Sequence, residues 1–504
     1  MTNSIVLHRI KITLFLICLV SLYCCKSPAP ARLNVVAGLN IGEEKEVKLT
    51  NGETVNLKLM EIRIVRDSLR QAVRAAYVTV YVDGEKVTLG CGNYNLPVTV
   101  GKVKIDCPVI REITARSSYY AKSAVLATDA RFRLWPASSP FIQKGTFSFP
   151  LKQEWMASRT QSQNEPAGLG WAENLSNQNM GYHATHDFGG AEGMEEIFSA
   201  TDGLIVSSDN QVLDGYEELP GDVRPDVVWV VDGRGWYIRY SHLNSIEPEI
   251  KAGTNIKMGQ KIGYMGKQGG SGGWVHLHFG VHYRDTETGI WEVEDAYPYL
   301  WESYVREYKP SVMAIARPRL LARTGDEITL DGTKSLSLAG DIVSFHWTFS
   351  DGTNAEGAVQ QRSYSTAGEY SEILKVTDSE GNVDYDFTYV QVYDKDHPEK
   401  RIPTIHPVFY PTLNIKPGDP VTFLVRTFGS DTGEEVWDFG DGSEKVTVNS
   451  GIVRSKTQNE GSYASTIHSF KKPGHYIVRV ERINENGFPA IGHLHVTVTD
   501  GRKN

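Results

Sequence analysis

Two short stretches hold the residues best suited to chemistry: His183-Ala-Thr-His186-Asp187 and, further along, His276-Leu-His278. The first reads H-x-x-x-D and the second H-x-H. Together they can offer three imidazole or carboxylate donors to one divalent ion. A catalytic zinc takes three protein ligands and keeps a fourth position open. His183 and Asp187, four residues apart, can grip one ion from an ordered loop or strand end, and His278 completes the trio. His276 shares a strand face with His278, so it can stand beside the metal without binding it. His242 lies just past another strand signal. One such histidine can take the proton of a metal-activated water, and another can stabilise an oxyanion or protonate a leaving amine. These are the parts for hydrolysis of a peptide or amide bond. The chain has no H-E-x-x-H helix, no G-x-S-x-G and no phosphate loop, which argues against the helical metalloprotease and serine hydrolase classes.

The tripeptide H-x-H means little alone. His493-Leu-His495 repeats it in an alternating strand without an H-x-x-x-D of its own, and it reads as ordinary strand surface. His186 reads as solvent-facing or adjacent to the site rather than as a ligand, and His282 as a candidate to line a cleft.

The elements that must position these residues are short strands. Val227 to Val231 meets Trp236 to Tyr240 across Asp232-Gly-Arg-Gly, a hairpin signal, with His242 just beyond. Gly269-Gly-Ser-Gly-Gly273 is a flexible loop leading into the strand Val275 to Phe279. In that strand His276, His278 and His282 can point the same way.

At 504 residues the chain is too long for one core. Its net charge of −9 comes without a basic stripe, so no nucleic-acid partner is expected. Abundant Gly, Tyr, Val and Thr predict a mainly β protein. Arg9 and Lys11 precede an apolar run, Ile12 to Tyr23, too short to span a bilayer comfortably. Residues 1–25 read as a lipoprotein-type signal peptide. Leu22 and Cys24 sit at the right offsets for acylation of Cys25, which would anchor an exported protein to a membrane, facing the periplasm or cell surface. Tyr23 fits poorly before Cys24, and ordinary cleavage after Ala29-Pro30-Ala31 is the competing reading. In an exported chain Cys91 and Cys107 read as a disulfide, worth about 3 kcal/mol in the chain-entropy account.

Four segments follow the signal. Residues 33–140 form a β-rich accessory domain, with hairpin signals at Asn51-Gly52 and Asp83-Gly84. Residues 145–305 hold the histidine cluster. Residues 310–395 and 400–500 are a degenerate repeat. The first carries Trp347-Thr-Phe-Ser-Asp351-Gly352 and the second Trp437-Asp-Phe-Gly-Asp441-Gly442. Spaced strands of this kind suggest sandwiches. Both resemble PKD domains, an immunoglobulin-like family of extracellular modules, the second more closely.

From about 180 to 282 the chain resembles the lysostaphin/LytM-type zinc endopeptidases. The landmarks run in order: His183 to Asp187, Ala200-Thr-Asp-Gly-Leu-Ile-Val206, Tyr240-Ser-His242-Leu243, Met258-Gly-Gln-Lys-Ile-Gly263, and Gly272-Gly-Trp-Val-His276-Leu-His278-Phe279. The resemblance implies an antiparallel β core and a single Zn2+ held by His183, Asp187 and His278, with His242 and His276 catalytic. It also implies peptidoglycan cross-links as substrate. Gly-rich extracellular proteins, or an inactive scaffold that activates an amidase, are the alternatives. Gly280 replaces the Glu common after H-L-H-F, and the stretches 190–196 and 209–226 look like enlarged rims. The family often blocks itself from an upstream segment; Asn174, Asn177 and Asn179 are candidates.

Overall fold

A computed structural model describes residues 29–117, 125–167, 181–453 and 460–500. The signal segment with Cys24 and Cys25, and Asn174, Asn177 and Asn179, lie outside the described residues. The fold is mainly β, built from antiparallel sheets. Among the described residues no helix is long and apolar enough to cross a membrane.

Residues 33–140 form two four-stranded sheets. One runs Val35–Leu39, Ala130–Pro136, Val103–Ile110, Val98–Val100, and the other Glu44–Lys48, Thr54–Arg66, Val73–Val82, Glu85–Gly90. Alternation sets the inner face: Val78, Val80 and Val82 are buried while Tyr77, Thr79 and Tyr81 are half-buried. The turn Asp83-Gly84 joins Val82 directly to Glu85, with φ of 46° and 86°. Those positive values are what a two-residue hairpin matching the strand twist requires.

The expected disulfide is not formed. Cys91 and Cys107 are neighbours across an isolated bridge, but both are free, buried thiols. Each has a partner without oxidation: the thiols hydrogen-bond to one another, and Cys107 Sγ donates to the Val109 carbonyl at 3.7 Å.

Between residues 145 and 305 the main sheet places Val228–Asp232, Tyr237–Ser241, His276–Arg284 and His186–Gly189 side by side. A three-stranded sheet of Glu196–Phe198, Lys261–Met265 and Leu243–Ile246 packs on it. Their shared core contains Ile205, Val230, Ile238, Tyr240, Ile262, Leu277 and Phe279. The helix Tyr297–Tyr308 closes this core with Tyr299, Leu300 and Tyr304. Its first turn is held by Asp295, which accepts from the Tyr297 amide at 3.0 Å.

The two C-terminal sandwiches share one nine-stranded sheet, joined where Glu369 meets Ala490. This overturns the reading of His493 and His495 as strand surface. His493 is 4% and His495 7% exposed. His493 stacks on Phe387, and His495 stands 3.5 Å from Asp384 and 4.0 Å from Glu154. Alternation gives a face its polarity only when water is on the other side; here the other sandwich is.

Candidate active site

The two motifs meet because their strands are neighbours. His186–Gly189 pairs with His276–Arg284, placing Asp187 opposite His278 and Gly189 opposite His276. On the other flank Ser241 lies opposite His278. Cross-strand neighbours point to the same face, so Asp187 and His278 need no loop to bring them together. His183 enters from the segment before the strand. Its Nε2 lies 3.0 Å from Asp187 Oδ2, and His278 Nδ1 lies 2.9 Å from Asp187 Oδ1.

Each imidazole has one ring nitrogen held by a neighbour outside the carboxylate. His183 Nδ1 donates to the Thr185 carbonyl at 2.7 Å, and the Thr185 hydroxyl meets His278 Nε2 at 3.0 Å. His276 Nδ1 donates to the Trp274 carbonyl at 3.1 Å, leaving Nε2 facing Asp187 at 3.5 Å. His242 Nδ1 donates to the Gln268 carbonyl at 2.6 Å. Fixing one ring nitrogen selects the tautomer and leaves the other as an acceptor.

His242 occupies the residue where the chain leaves the main sheet for the smaller one, at a φ of 66°. The left-handed region is uncommon for residues other than glycine, and histidine is among the few that favour it. The strain is held by Asp226, which accepts from the His242 amide at 3.1 Å and is itself paired with Arg224 at 2.8 Å. Burial would raise the Asp226 carboxyl, but hydrogen bonds from Arg224 and His242 bring it well below the usual range.

Electrostatics favour neutral His276 and His278, and a charged His183, around one carboxylate. Burial lowers His276 to about 3 despite the nearby Asp187, and burial lowers His278 as well. Burial opposes ionisation of Asp187 too, yet the charge of His183 and the surrounding imidazole donors hold it well below its ordinary value. His183 is raised: burial acts downward, and Asp187 outweighs it.

Donor atoms of His183, Asp187 and His278 lie within 4.8 Å of one another, and so do those of His242, His276 and His278. His278 belongs to both sets, so the five residues form one cluster. It opens into a cavity of about 710 Å³ lined also by Thr185, Arg239 and Trp274. The rim expected over 209–226 is present, through Leu219, Pro220, Gly221, Asp222 and Arg224. The stretch 190–196 contributes no lining residue, because Glu192 is tied to Lys267 at 2.5 Å and Glu195 is buried. His282 lines the cavity. His186 does not: it is buried on the opposite face, with Nε2 2.9 Å from Asp295.

Residues 181–289 match the description peptidase family M23, and residues 309–392 match the PKD domain. Residues 181–289 are an M23 peptidase domain. M23 is a family of metallopeptidases. The PKD match falls on the repeat with Ser350 in its turn, the one with the weaker motif. The chain is 33% identical over 69 residues to Collagenase ColA of Clostridium perfringens, covering 14% of this chain and 6% of that protein. It is also similar to a putative M23 peptidase structure from Pseudomonas aeruginosa, at 16% identity over 49% of this chain and 87% of the other, with a TM-score of 0.19. The PKD1 domain of Vibrio anguillarum Epp is 24% identical, covering 16% of this chain and 92% of its own, with a TM-score of 0.14.

Several residues of the M23 site were not visible in the motifs. Thr185 and Trp274 lie inside or beside them, but nothing in their type marks a role. Asp226 is remote from His242 in sequence. Tyr463, His406 and Arg426 belong to the last sandwich and still touch the segment that leads into the strand of His276 and His278: the Val275 amide donates to Tyr463 Oη at 3.0 Å, Arg426 Nη1 donates to the Gly273 carbonyl at 2.6 Å, and His406 meets the Trp274 ring.

Proposed function

We propose that this chain is an exported zinc metalloendopeptidase that hydrolyses peptide cross-links of bacterial peptidoglycan, tethered to a membrane by a lipid on Cys25. The observation that carries the peptidase reading is the convergence of His183, Asp187, His242, His276 and His278 on one cavity.

The donors fit one zinc ion. Ligands at zinc bond lengths in a tetrahedron stand about 3.3 Å apart. His183 and His278 stand 3.0 and 2.9 Å from the two Asp187 oxygens. Two neutral imidazoles and one carboxylate are borderline donors of the kind zinc takes. His183, Asp187 and His278 would hold the ion, and Thr185 orients both histidines. When bound, zinc supplies Lewis acidity, polarising a carbonyl and making a water nucleophilic near neutral pH.

The rest falls to the chain's own side chains. His242 and His276 carry their protons on Nδ1, pinned to backbone carbonyls. Each therefore offers Nε2 as a proton acceptor. One takes the proton of the attacking water on Nε2 and, as the imidazolium so formed, gives that same proton to the leaving amine. The Gly-rich protein alternative draws support from the similarity to Collagenase ColA.

Purified protein incubated with peptidoglycan tests the reading, with released fragments analysed by mass spectrometry. New amine termini should appear, vanish with chelator and return with zinc. Cleavage of gelatin but not peptidoglycan favours the alternative; bound zinc with no cleavage rejects both. Acylation persisting in a Cys25→Ala protein rejects Cys25 as the acylated cysteine.

A further inference from the structure

The cavity holds a cation with no carboxylate in contact with it. Of the charged residues lining it, Arg224 is paired with Asp226 and Asp222, and Glu292 with Arg131. Asp187 is surrounded by histidines. Of these the Arg239 side chain alone makes no hydrogen bond or ion pair among the described residues; its guanidinium lies over the Trp229 ring, 5.6 Å from the centroid, and Asp222, Asp226 and Asp187 act on it only through space. Its Nε is buried and unpartnered.

The sheet explains its position. Arg239 lies opposite Gly280 on the strand that carries the site histidines, and so shares a face with His278 and His282 on either side. Gly280 has no side chain to answer it, and none would fit: a Cβ there would come within 2.8 Å of both His282 Nε2 and Thr185 Cγ2. On the outer side Gly221 of the rim leaves Arg239 Nη1 just 3.2 Å from where a Cβ would be. The guanidinium thus lies between the rim and the catalytic strand. His282 Nε2, beside it, is also buried without a partner. Burial lowers Arg239 to about 10, so it remains charged at neutral pH.

A half-buried guanidinium with idle donors forgoes hydration without compensation. A carboxylate matches its fork with two parallel charge-assisted bonds. We infer that Arg239 is a specificity residue that binds a free carboxylate of the substrate peptide next to the scissile bond. This rests on the peptidase reading and sharpens it: the substrate is an anionic peptide, not a neutral one.

Two peptides identical except for a carboxylate or carboxamide beside the scissile bond test it with the full chain. A hydrogen-bonded charge contact of about 1.5–3 kcal/mol corresponds to roughly 10–100-fold. The wild type should cut the carboxylate peptide with that advantage in kcat/KM. Arg239→Gln should remove the advantage while leaving the carboxamide peptide within about threefold, and Arg239→Lys should restore part of it. Equal cleavage of both peptides by the wild type, or an equal loss on both in Arg239→Gln, overturns the inference. If neither peptide is cut, the peptidase reading fails, and binding decides Arg239 separately. Calorimetry on the full-length His276→Ala protein, with and without Arg239→Gln, should show tighter carboxylate binding that depends on Arg239 and weakens with salt. Equal or absent binding of the two peptides overturns it.

Discussion

Trp274 stacks face to face on His276, with ring centroids 3.9 Å apart and 16° between the planes. The indole is in turn gripped by the last sandwich. His406 meets it edge-on at 5.1 Å, and Phe428 and Val453 pack against it. His406 Nδ1 accepts from Tyr463 Oη at 2.7 Å, the same hydroxyl that receives the Val275 amide. The imidazole assigned to proton transfer is therefore braced by a domain far away in sequence.

Trp274→Ala should lower kcat about a hundredfold, since small misplacements of a reacting group cost about that much. Zinc content and folding should be retained. A variant with normal kcat would show that the stack does not position His276. Tyr463→Phe leaves the Val275 amide unpaired and should cost about 1–3 kcal/mol of stability, read by denaturant unfolding.

His278→Ala should lose the metal, while His276→Ala should keep it and lose turnover. Metal analysis by mass spectrometry beside peptide cleavage separates the two. Equal metal loss in both would overturn the division of roles.

Stability at the domain junction should fall with rising pH. Burial raises Glu154 from 4.5 to about 7, and His495 is raised as well, its carboxylate neighbours outweighing burial. Groups raised on folding stabilise fully below their unfolded pKa and lose that contribution as pH climbs through the folded value. Between pH 5 and 8 the wild type should lose melting temperature relative to Glu154→Gln, which mimics the protonated form. A pH-independent difference between the two proteins would refute the shift.

Cys91 and Cys107 are free and buried, and burial pushes the Cys107 thiol well up. A thiolate reagent should leave the native protein unmodified and label two mature-chain thiols beyond Cys25 after unfolding without reductant. Labelling that needs prior reduction would show that the pair oxidises in the exported protein.

The sequence determined the β class, the hairpins and the identity of all five clustered residues. Strand alternation and turn chemistry are local, and H-x-x-x-D with H-x-H restricts donor chemistry without any knowledge of distance. The tertiary structure decided what depends on neighbours from elsewhere in the chain. It turned His186 inward to Asp295 and buried His495 between sandwiches. It set Arg239 against a glycine so that no carboxylate contacts its charge, and laid Tyr463 and His406 against the segment entering the strand of His276 and His278. Sheet pairing and domain packing select which faces meet, and no local pattern of residues encodes the surface that will arrive opposite.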